Sequence, residues 1–183
     1  MKNLSYQSDP REWQIIEGCR RNDRLAQKSL FDRYKDSMYT MIYRMLGDTD
    51  EASDALQEGF IQTFKSLDQF QGKSSLGAWI KVIMIRAAIK KQRKVVSMTS
   101  LEDLGSTQEP TVVSWDENLT GEYLEKAILR LPPGYRNVFL LVEVEGYSHN
   151  EVAKMLQISA GTSKSQLYHS KRMLQKLLKE LMY

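Results

Sequence analysis

Carboxylates recur at four-residue steps in the stretch DEASDALQEGF, where Asp50, Asp54 and Glu58 would share one side of a helix. Oxygen ligands at this spacing could hold Mg²⁺ in an all-helical nucleotide hydrolase. Such a site also needs carboxylates from a second helix, and the neighbouring sequence offers mainly Asp32 and Asp36, with no histidine nearby. Since we also find no phosphate-binding glycine loop, Ser/His/Asp arrangement or zinc-ligand spacing, we expect no metal, no cofactor and no catalytic residue.

The same predicted helix has two distinct faces. Apolar residues at three- and four-residue steps indicate one buried stripe, made of Ala52, Leu56, Phe60, Phe64 and Leu67. A different face groups Asp54, Gln57, Glu58 and Ile61. An exposed isoleucine among polar groups favours a docking surface for a protein partner, and a plain solvated face is the alternative.

The next stretch is basic, because no acidic residue occurs between positions 71 and 101. At about 100° per residue, one sector of a helix over positions 75–94 holds Trp79, Arg86, Lys90 and Arg93. An adjoining apolar stripe holds Leu76, Ile80, Ile83 and Ala87. A basic stripe headed by an aromatic ring suits nucleic acid, and the alternative is a cationic surface helix with Trp79 in the core.

A third cluster follows position 148. Ser148 and Glu151 form a capping-box pattern that predicts a short helix, and Ser159 predicts the start of a longer one with Leu167, Leu174 and Leu178 facing inward. This arrangement is typical of a helix-turn-helix, with a plain helical hairpin as the alternative. In a helix-turn-helix the second helix lies in the major groove, so its outward side chains would contact bases or phosphates: Thr162, Lys164, Ser165, Gln166, His169 and Arg172.

These clusters fall in two predicted all-α domains, residues 10–95 and 119–183, joined by an acidic linker at 96–118 without sustained periodicity. In the first domain, Pro10 is expected to open a helix and Asp23 to cap a second one that stops at Gly47, after which Asp48 caps the acidic helix. The second helix is expected to bury Leu25, Ser29, Leu30, Tyr34, Met38, Met41, Ile42 and Met45. In the second domain, one helix precedes Pro132-Pro133-Gly134 and another is expected over positions 135–145.

Composition limits the class of protein. The 183 residues carry a net charge of +3 and are 42% hydrophobic, which is ordinary for a soluble globular protein. The longest apolar runs are too short to span a bilayer, and the first residues lack the apolar stretch of a signal peptide. We therefore expect a cytoplasmic protein without membrane insertion. The single cysteine, Cys19, excludes an internal disulfide.

Two blocks of residues carry a family resemblance. The first comprises Leu46-Gly47-Asp48, Glu51-Ala52, Asp54, Gln57-Glu58, Phe60, Phe70, Gly72 and Trp79-Ile80. The second comprises Leu131-Pro132, Arg136, Glu145-Gly146, Ser148, Glu151-Val152-Ala153, Leu156, Ser159, Gly161-Thr162 and Lys164-Ser165. Together they resemble the bacterial RNA polymerase sigma factors of the sigma-70 family, in the small extracytoplasmic-function group that has only conserved regions 2 and 4.

This resemblance implies a protein that binds core RNA polymerase and directs promoter-specific transcription initiation. It implies docking on the clamp helices of the largest polymerase subunit through the face with Asp54, Gln57, Glu58 and Ile61. It implies contacts to the −10 element from Phe70, Gln71, Lys73, Ser74, Trp79, Arg86, Lys90 and Arg93, and reading of the −35 element by the helix after Ser159. An anti-sigma factor is a further possible partner.

The sequence departs from the family pattern at four positions. Arg86 and Lys90 stand where the family usually has Asn and Asp, Gln166 where it has Arg, and Ser163 where it has a buried Val. We therefore expect an atypical −35 sequence and a slightly looser recognition helix, and we do not infer the −10 base preference from relatives. The main alternative function is a stand-alone helix-turn-helix regulator, which would leave the face around Ile61 without a role.

Overall fold

The computed structural model describes residues 10–96 and 121–182, and these residues form helices and connecting turns without a β-strand among them. The chain divides into two compact units, Met1–Met98 and Thr99–Tyr183. The predicted all-α class is confirmed. All but the first residue of the predicted linker at 96–118 lies outside the described residues.

Four helices build the first unit: α1 (Pro10–Arg20), α2 (Arg24–Leu46), α3 (Thr49–Ser66) and α4 (Leu76–Val96), with one 3-10 turn at Leu67–Gln69. The carboxylate of Asp23 accepts from the Leu25 amide at 2.8 Å, and Gly47 ends α2 in the left-handed conformation, with φ 76°. The carboxylate of Asp48 accepts from two amides in the first turn of α3. The predicted helix starts and stops in this unit are therefore confirmed.

Helix α3 is buried on two sides. The predicted stripe packs as expected at Ala52, Leu56 and Phe60, and the Phe60 ring lies 4.7 Å from that of Phe31 on α2. A second buried row, which the sequence analysis did not identify, comprises Ala55, Gly59, Thr63 and Ser66. A Cβ atom at Gly59 would lie 2.2 Å from the Met84 sulfur, so glycine permits the close approach of α3 and α4.

Two predicted stripes need correction. Leu25 and Ser29 are exposed, because the buried part of α2 begins one turn later at Leu30. On α4, Ile83 and Ala87 are only half-buried. The buried side of α4 is centred instead on residues that pack into the interior of the unit: Leu76, Ile80, Met84, Ile85, Ala88 and Ile89.

The second unit contains α5 (Gly121–Leu129), α6 (Pro133–Phe139), α7 (His149–Leu156) and α8 (Ala160–Met182). Helix α6 begins at Pro133, two residues earlier than predicted, because proline is favoured in a first helical turn. It continues into a π-helical turn, Leu140–Val144, where the Glu145 amide donates to the Leu140 carbonyl at 2.9 Å. The capping box at Ser148 and Glu151 and the cap at Ser159 are confirmed, which fixes α7 and α8 as two successive helices.

Candidate docking and nucleic-acid surfaces

We call the predicted docking surface on α3, which is made of Asp54, Gln57, Glu58 and Ile61, the docking face. All four side chains are exposed, as the helical spacing predicted. Ile61 is 54% exposed, which makes it one of the few large apolar side chains open to solvent within the described residues. An exposed apolar side chain bordered by polar groups matches the apolar core and polar rim of protein–protein interfaces.

The carboxylates of the docking face also contact helix α4. The Lys91 ammonium donates to Asp54 Oδ2 at 2.9 Å and lies 3.5 Å from Glu51 Oε2. The Lys90 ammonium lies 3.5 Å from Glu58 Oε2. The hydrogen bond to Asp54 is the main cause of the raised pKa of Lys91. The contacts of Lys91 with Asp54 and Glu51 were not predicted from the sequence, because a contact between two helices leaves no spacing signal in either one.

A groove of about 410 Å³ lies between α3 and α4. One wall is polar and one is aromatic and basic, and together they consist of Glu58, Gln62, Ser66, Gln69, Trp79, Ile83, Arg86, Ala87 and Lys90. The groove brings together three residues of the predicted −10 set, Trp79, Arg86 and Lys90. It also reaches Glu58 of the docking face, so the two predicted surfaces adjoin.

The loop at residues 70–75 joins the 3-10 turn to α4. Gln71, Lys73 and Ser74 are exposed, as a nucleic-acid contact requires. Phe70 is only 3% exposed, and its ring lies 5.9 Å from Trp13 and 5.5 Å from Trp79. The structure thus gives Phe70 a packing position below the loop, where it supports Trp79 instead of presenting its own ring to DNA.

Helix α8 carries the whole predicted −35 set. Lys164 and Arg172 are exposed, and Thr162, Ser165, Gln166 and His169 are half-buried. The His169 ring stacks on Tyr135 at 6.0 Å and meets the edge of Tyr168 at 5.3 Å, so it packs between two aromatic rings. The Arg172 guanidinium lies 5.8 Å from the centre of the Tyr168 ring, which holds the cation on the exposed side of the helix.

A buried polar contact joins the two helices of the helix-turn-helix. Ser163 on α8 is fully buried, and its Oγ lies 2.9 Å from Nδ1 of His149 on α7. The hydroxyl therefore has a hydrogen-bond partner where the family pattern has an apolar side chain. The hydrogen bond avoids the cost of an unsatisfied buried hydroxyl, and the slightly looser recognition helix expected from this substitution stays a prediction.

The carboxylates considered for magnesium do not converge. Asp32 is bonded to Lys28 and lies 3.0 Å from the Lys35 ammonium, and these contacts, the Lys28 bond foremost, lower the pKa of Asp32. Within residues 10–96 and 121–182, no group of three or more His, Cys, Asp or Glu side chains is arranged to hold a metal ion.

Comparison with known proteins accounts for both units. The family model described as "Sigma-70 region 2" matches residues 30–96, and that described as "Sigma-70, region 4" matches residues 121–174. The ECF RNA polymerase sigma factor SigW of Bacillus subtilis is 30% identical over 182 residues, covering 91% of this chain and 96% of that protein. The chain belongs to the extracytoplasmic-function group of the sigma-70 family. This sigma factor binds core RNA polymerase and promoter DNA and directs promoter-specific transcription initiation.

Other relatives agree with this assignment. The RNA polymerase sigma-H factor of Pseudomonas aeruginosa is 27% identical to this sigma factor, covering 92% of this chain and 94% of that protein. The sigma factor RpoE of Bartonella quintana, solved with the anti-sigma factor NepR, has the same fold, with a TM-score of 0.55 and 22% identity over 83% of this chain and 96% of that one. The stand-alone regulator hypothesis accounts only for the second unit.

CnrH, solved with the cytosolic domain of CnrY, also shares the fold, with a TM-score of 0.54 and 15% identity over 92% of this chain and 97% of that one. Family members are transcription initiation factors, which makes a non-enzymatic role the expected one. None of the helices described in this sigma factor combines the length and apolar character needed to cross a membrane.

Proposed function

We propose a division of labour among three surfaces of this sigma factor. The docking face on α3 binds the clamp helices of the largest polymerase subunit. The loop at residues 70–75, together with α4, takes the unpaired strand of the −10 element, and α8 reads the −35 element as a duplex. We assign polymerase docking and −10 binding to a domain of residues 10–95, and −35 reading to a domain of residues 119–183.

The observation that supports the docking assignment most strongly is the exposure of Ile61 among carboxylates. Ile61 is 54% exposed, so covering it with a partner removes apolar surface from water and favours binding. The carboxylates beside it favour a partner with basic side chains. Asp54 and Glu58 already contact lysines within the chain. A basic partner would therefore compete with Lys90 and Lys91 for these carboxylates.

The −10 assignment is supported by the chemistry of the groove. Trp79 supplies a ring on which a base can stack, and Arg86 and Lys90 supply cations for the backbone. Extracting a base from a duplex costs a few kcal/mol, which stacking and phosphate contacts offset. In this proposal Phe70 supports the ring of Trp79, and Gln71, Lys73, Ser74 and Arg93 contact the strand.

The −35 assignment follows from the side chains of α8. A glutamine amide can pair with adenine and an arginine with guanine or phosphate, so Gln166 and Arg172 read sequence while Lys164 contacts phosphate. Thr162 and Ser165 contribute short polar contacts. His169 is half-buried against Tyr135 and Tyr168, so it contacts DNA through the part of its ring that stays exposed.

Three further statements belong to the proposal. The sigma factor acts in the cytoplasm, where core polymerase and DNA are found. It has no catalytic activity of its own. An anti-sigma factor is a further partner in this proposal, since the relative RpoE was solved with such a factor.

The docking assignment is tested by reversing charge on α3. The double variant Asp54→Lys with Glu58→Lys should lose binding to core polymerase, measured by fluorescence anisotropy of the labelled chain. The matched control is Lys90→Met with Lys91→Met, which breaks the same contacts between α3 and α4 but leaves the carboxylates intact. This control should still bind polymerase. If the α3 variant supports transcription at the wild-type level, the docking assignment is wrong.

A further inference from the structure

Helix α1 contacts the loop at residues 70–75 and the turn before it. This helix lies outside the segment matched by the region 2 family model. The guanidinium of Arg20 forms most of this connection. Its Nη2 donates to the Leu67 carbonyl at 3.2 Å and to the Phe70 carbonyl at 3.1 Å. Its Nη1 donates to Glu17 Oε1 at 2.7 Å, and its Nε lies 3.6 Å from Asp68 Oδ1. One side chain therefore fixes both ends of the turn that leads into the loop.

A second contact from α1 fixes the loop itself. The ring of Trp13 packs against Phe70 and lies under Gly72, where a Cβ atom would be 3.1 Å from Trp13 Cζ2. Gly72 has φ +68°, a conformation that residues with a side chain rarely adopt. The path of the loop is thus set by a ring below it and by a backbone conformation that glycine favours.

Helix α1 is in turn fixed to the rest of the first unit by a buried hydrogen bond and by apolar packing. The buried carboxylate of Glu12 accepts from the Tyr34 hydroxyl of α2 at 2.8 Å, and Ile16 is fully buried. The three rings Trp13, Phe70 and Trp79 then form a continuous row from α1 through the loop to α4. A displacement of α1 or of Arg20 would be transmitted to the loop and to Trp79.

We propose that Arg20 and Trp13 are positioning residues for −10 recognition, which hold the loop in the conformation that receives the unpaired strand. This inference rests on the proposed function of the loop. A loop that is ordered before binding loses less conformational freedom when the strand binds, so holding it in place raises affinity without a contact to DNA. Arginine suits the role because Nη2 has two N–H groups for the two carbonyls, while Nη1 of the same planar group donates to Glu17.

The probe for the test is a fluorescently labelled single strand that carries the −10 element of a promoter selected by the holoenzyme from a randomised library. Arg20→Met should weaken binding of this strand to the holoenzyme by at least about tenfold, since it removes two hydrogen bonds from a charged donor. The affinity for core polymerase and for a −35 duplex should not change. Arg20→Lys should restore part of the loss, because an ammonium keeps the charge and the N–H donors but lacks the fixed planar geometry of the guanidinium.

The matched control is Arg21→Met, which removes an exposed arginine next in the chain that bonds to the Glu17 carbonyl at 3.3 Å. It should bind the strand as the wild type does. Gly72→Ala is an independent variant, because its methyl group meets Trp13 and its backbone is strained. It should weaken binding of the −10 strand as Arg20→Met does. If Arg20→Met fails to fold, Gly72→Ala alone tests the inference.

Three results would overturn the inference. If Lys73→Ala or Trp79→Ala weakens strand binding while Arg20→Met and Gly72→Ala do not, the loop binds DNA without help from α1, and the proposed function stands. If Arg20→Met folds but lowers core polymerase and strand binding equally, Arg20 has a general structural role. If neither Lys73→Ala nor Trp79→Ala has an effect, the assignment of the loop fails and the inference fails with it.

Discussion

Truncation of Ile61 to alanine tests the docking face through its apolar centre alone. Full burial of an isoleucine side chain is worth about 1.5–3 kcal/mol. Because 54% of Ile61 is still open to solvent, a partner that covers it would gain roughly half of that. Alanine keeps one of the four side-chain carbons, so Ile61→Ala should cost about 0.6–1.2 kcal/mol, a loss of about three- to eightfold in polymerase affinity.

The assay is an anisotropy titration of labelled sigma factor with core polymerase, accompanied by thermal unfolding of the free protein. Leu25→Ala is the matched control, because Leu25 is 78% exposed on the same unit and lies outside the docking face. Both variants should unfold at nearly the wild-type temperature, since exposed side chains contribute little to the free energy of unfolding. Only Ile61→Ala should bind polymerase more weakly. Equal affinities for the two variants would refute the docking assignment.

The other predictions concern DNA reading and a buried thiol. Lys164→Ala should weaken binding to all duplexes alike and reduce the salt dependence of binding by about one counterion. Gln166→Ala should instead cost about 1–3 kcal/mol of binding free energy, and only on the selected −35 duplex. Titrations at several salt concentrations against selected and scrambled duplexes distinguish the two effects. Burial, and then the charge of Asp23, raise the pKa of Cys19 from 9.0 to about 11. Because the folded pKa is the higher one, the stabilisation linked to this group is present below pH 9.0 and is lost as the pH rises through about 11. Native protein at neutral pH should therefore react with iodoacetamide much more slowly than unfolded protein, and equal rates would show that Cys19 is accessible.

Helix boundaries could be predicted because caps act locally. Asp23, Gly47, Asp48 and Ser159 each satisfy backbone groups within a few residues, so their positions in the sequence determine where helices start and stop. The π-helical turn at Leu140–Val144 was not predicted. Over a single turn, a π-helix and an α-helix have nearly the same pattern of apolar residues. The extra residue in the π-helical turn depends on tertiary packing, which the sequence pattern does not show.

Burial was predicted less completely, because it depends on which helices pack around each element. Periodicity identified one stripe on α3, yet this helix packs against both α2 and α4 and buries a second row that includes Gly59 and Thr63. These residues are small or polar, so a search for large apolar side chains overlooks them. The resemblance to the family placed Phe70 among the −10 contacts, although its ring is buried and packs against Trp13 and Trp79.

The contacts between α3 and α4 determine how charge variants of the docking face should be interpreted. Asp54 and Glu58 are bonded to Lys91 and Lys90, so a lysine introduced at either position on α3 would also repel a cation on α4. Loss of polymerase binding in such a variant therefore combines a lost intermolecular attraction with a new repulsion inside the unit. Ile61 carries no charge, so its truncation introduces no new repulsion with α4. Agreement between the two kinds of variant would assign the face to the polymerase more securely than charge reversal alone.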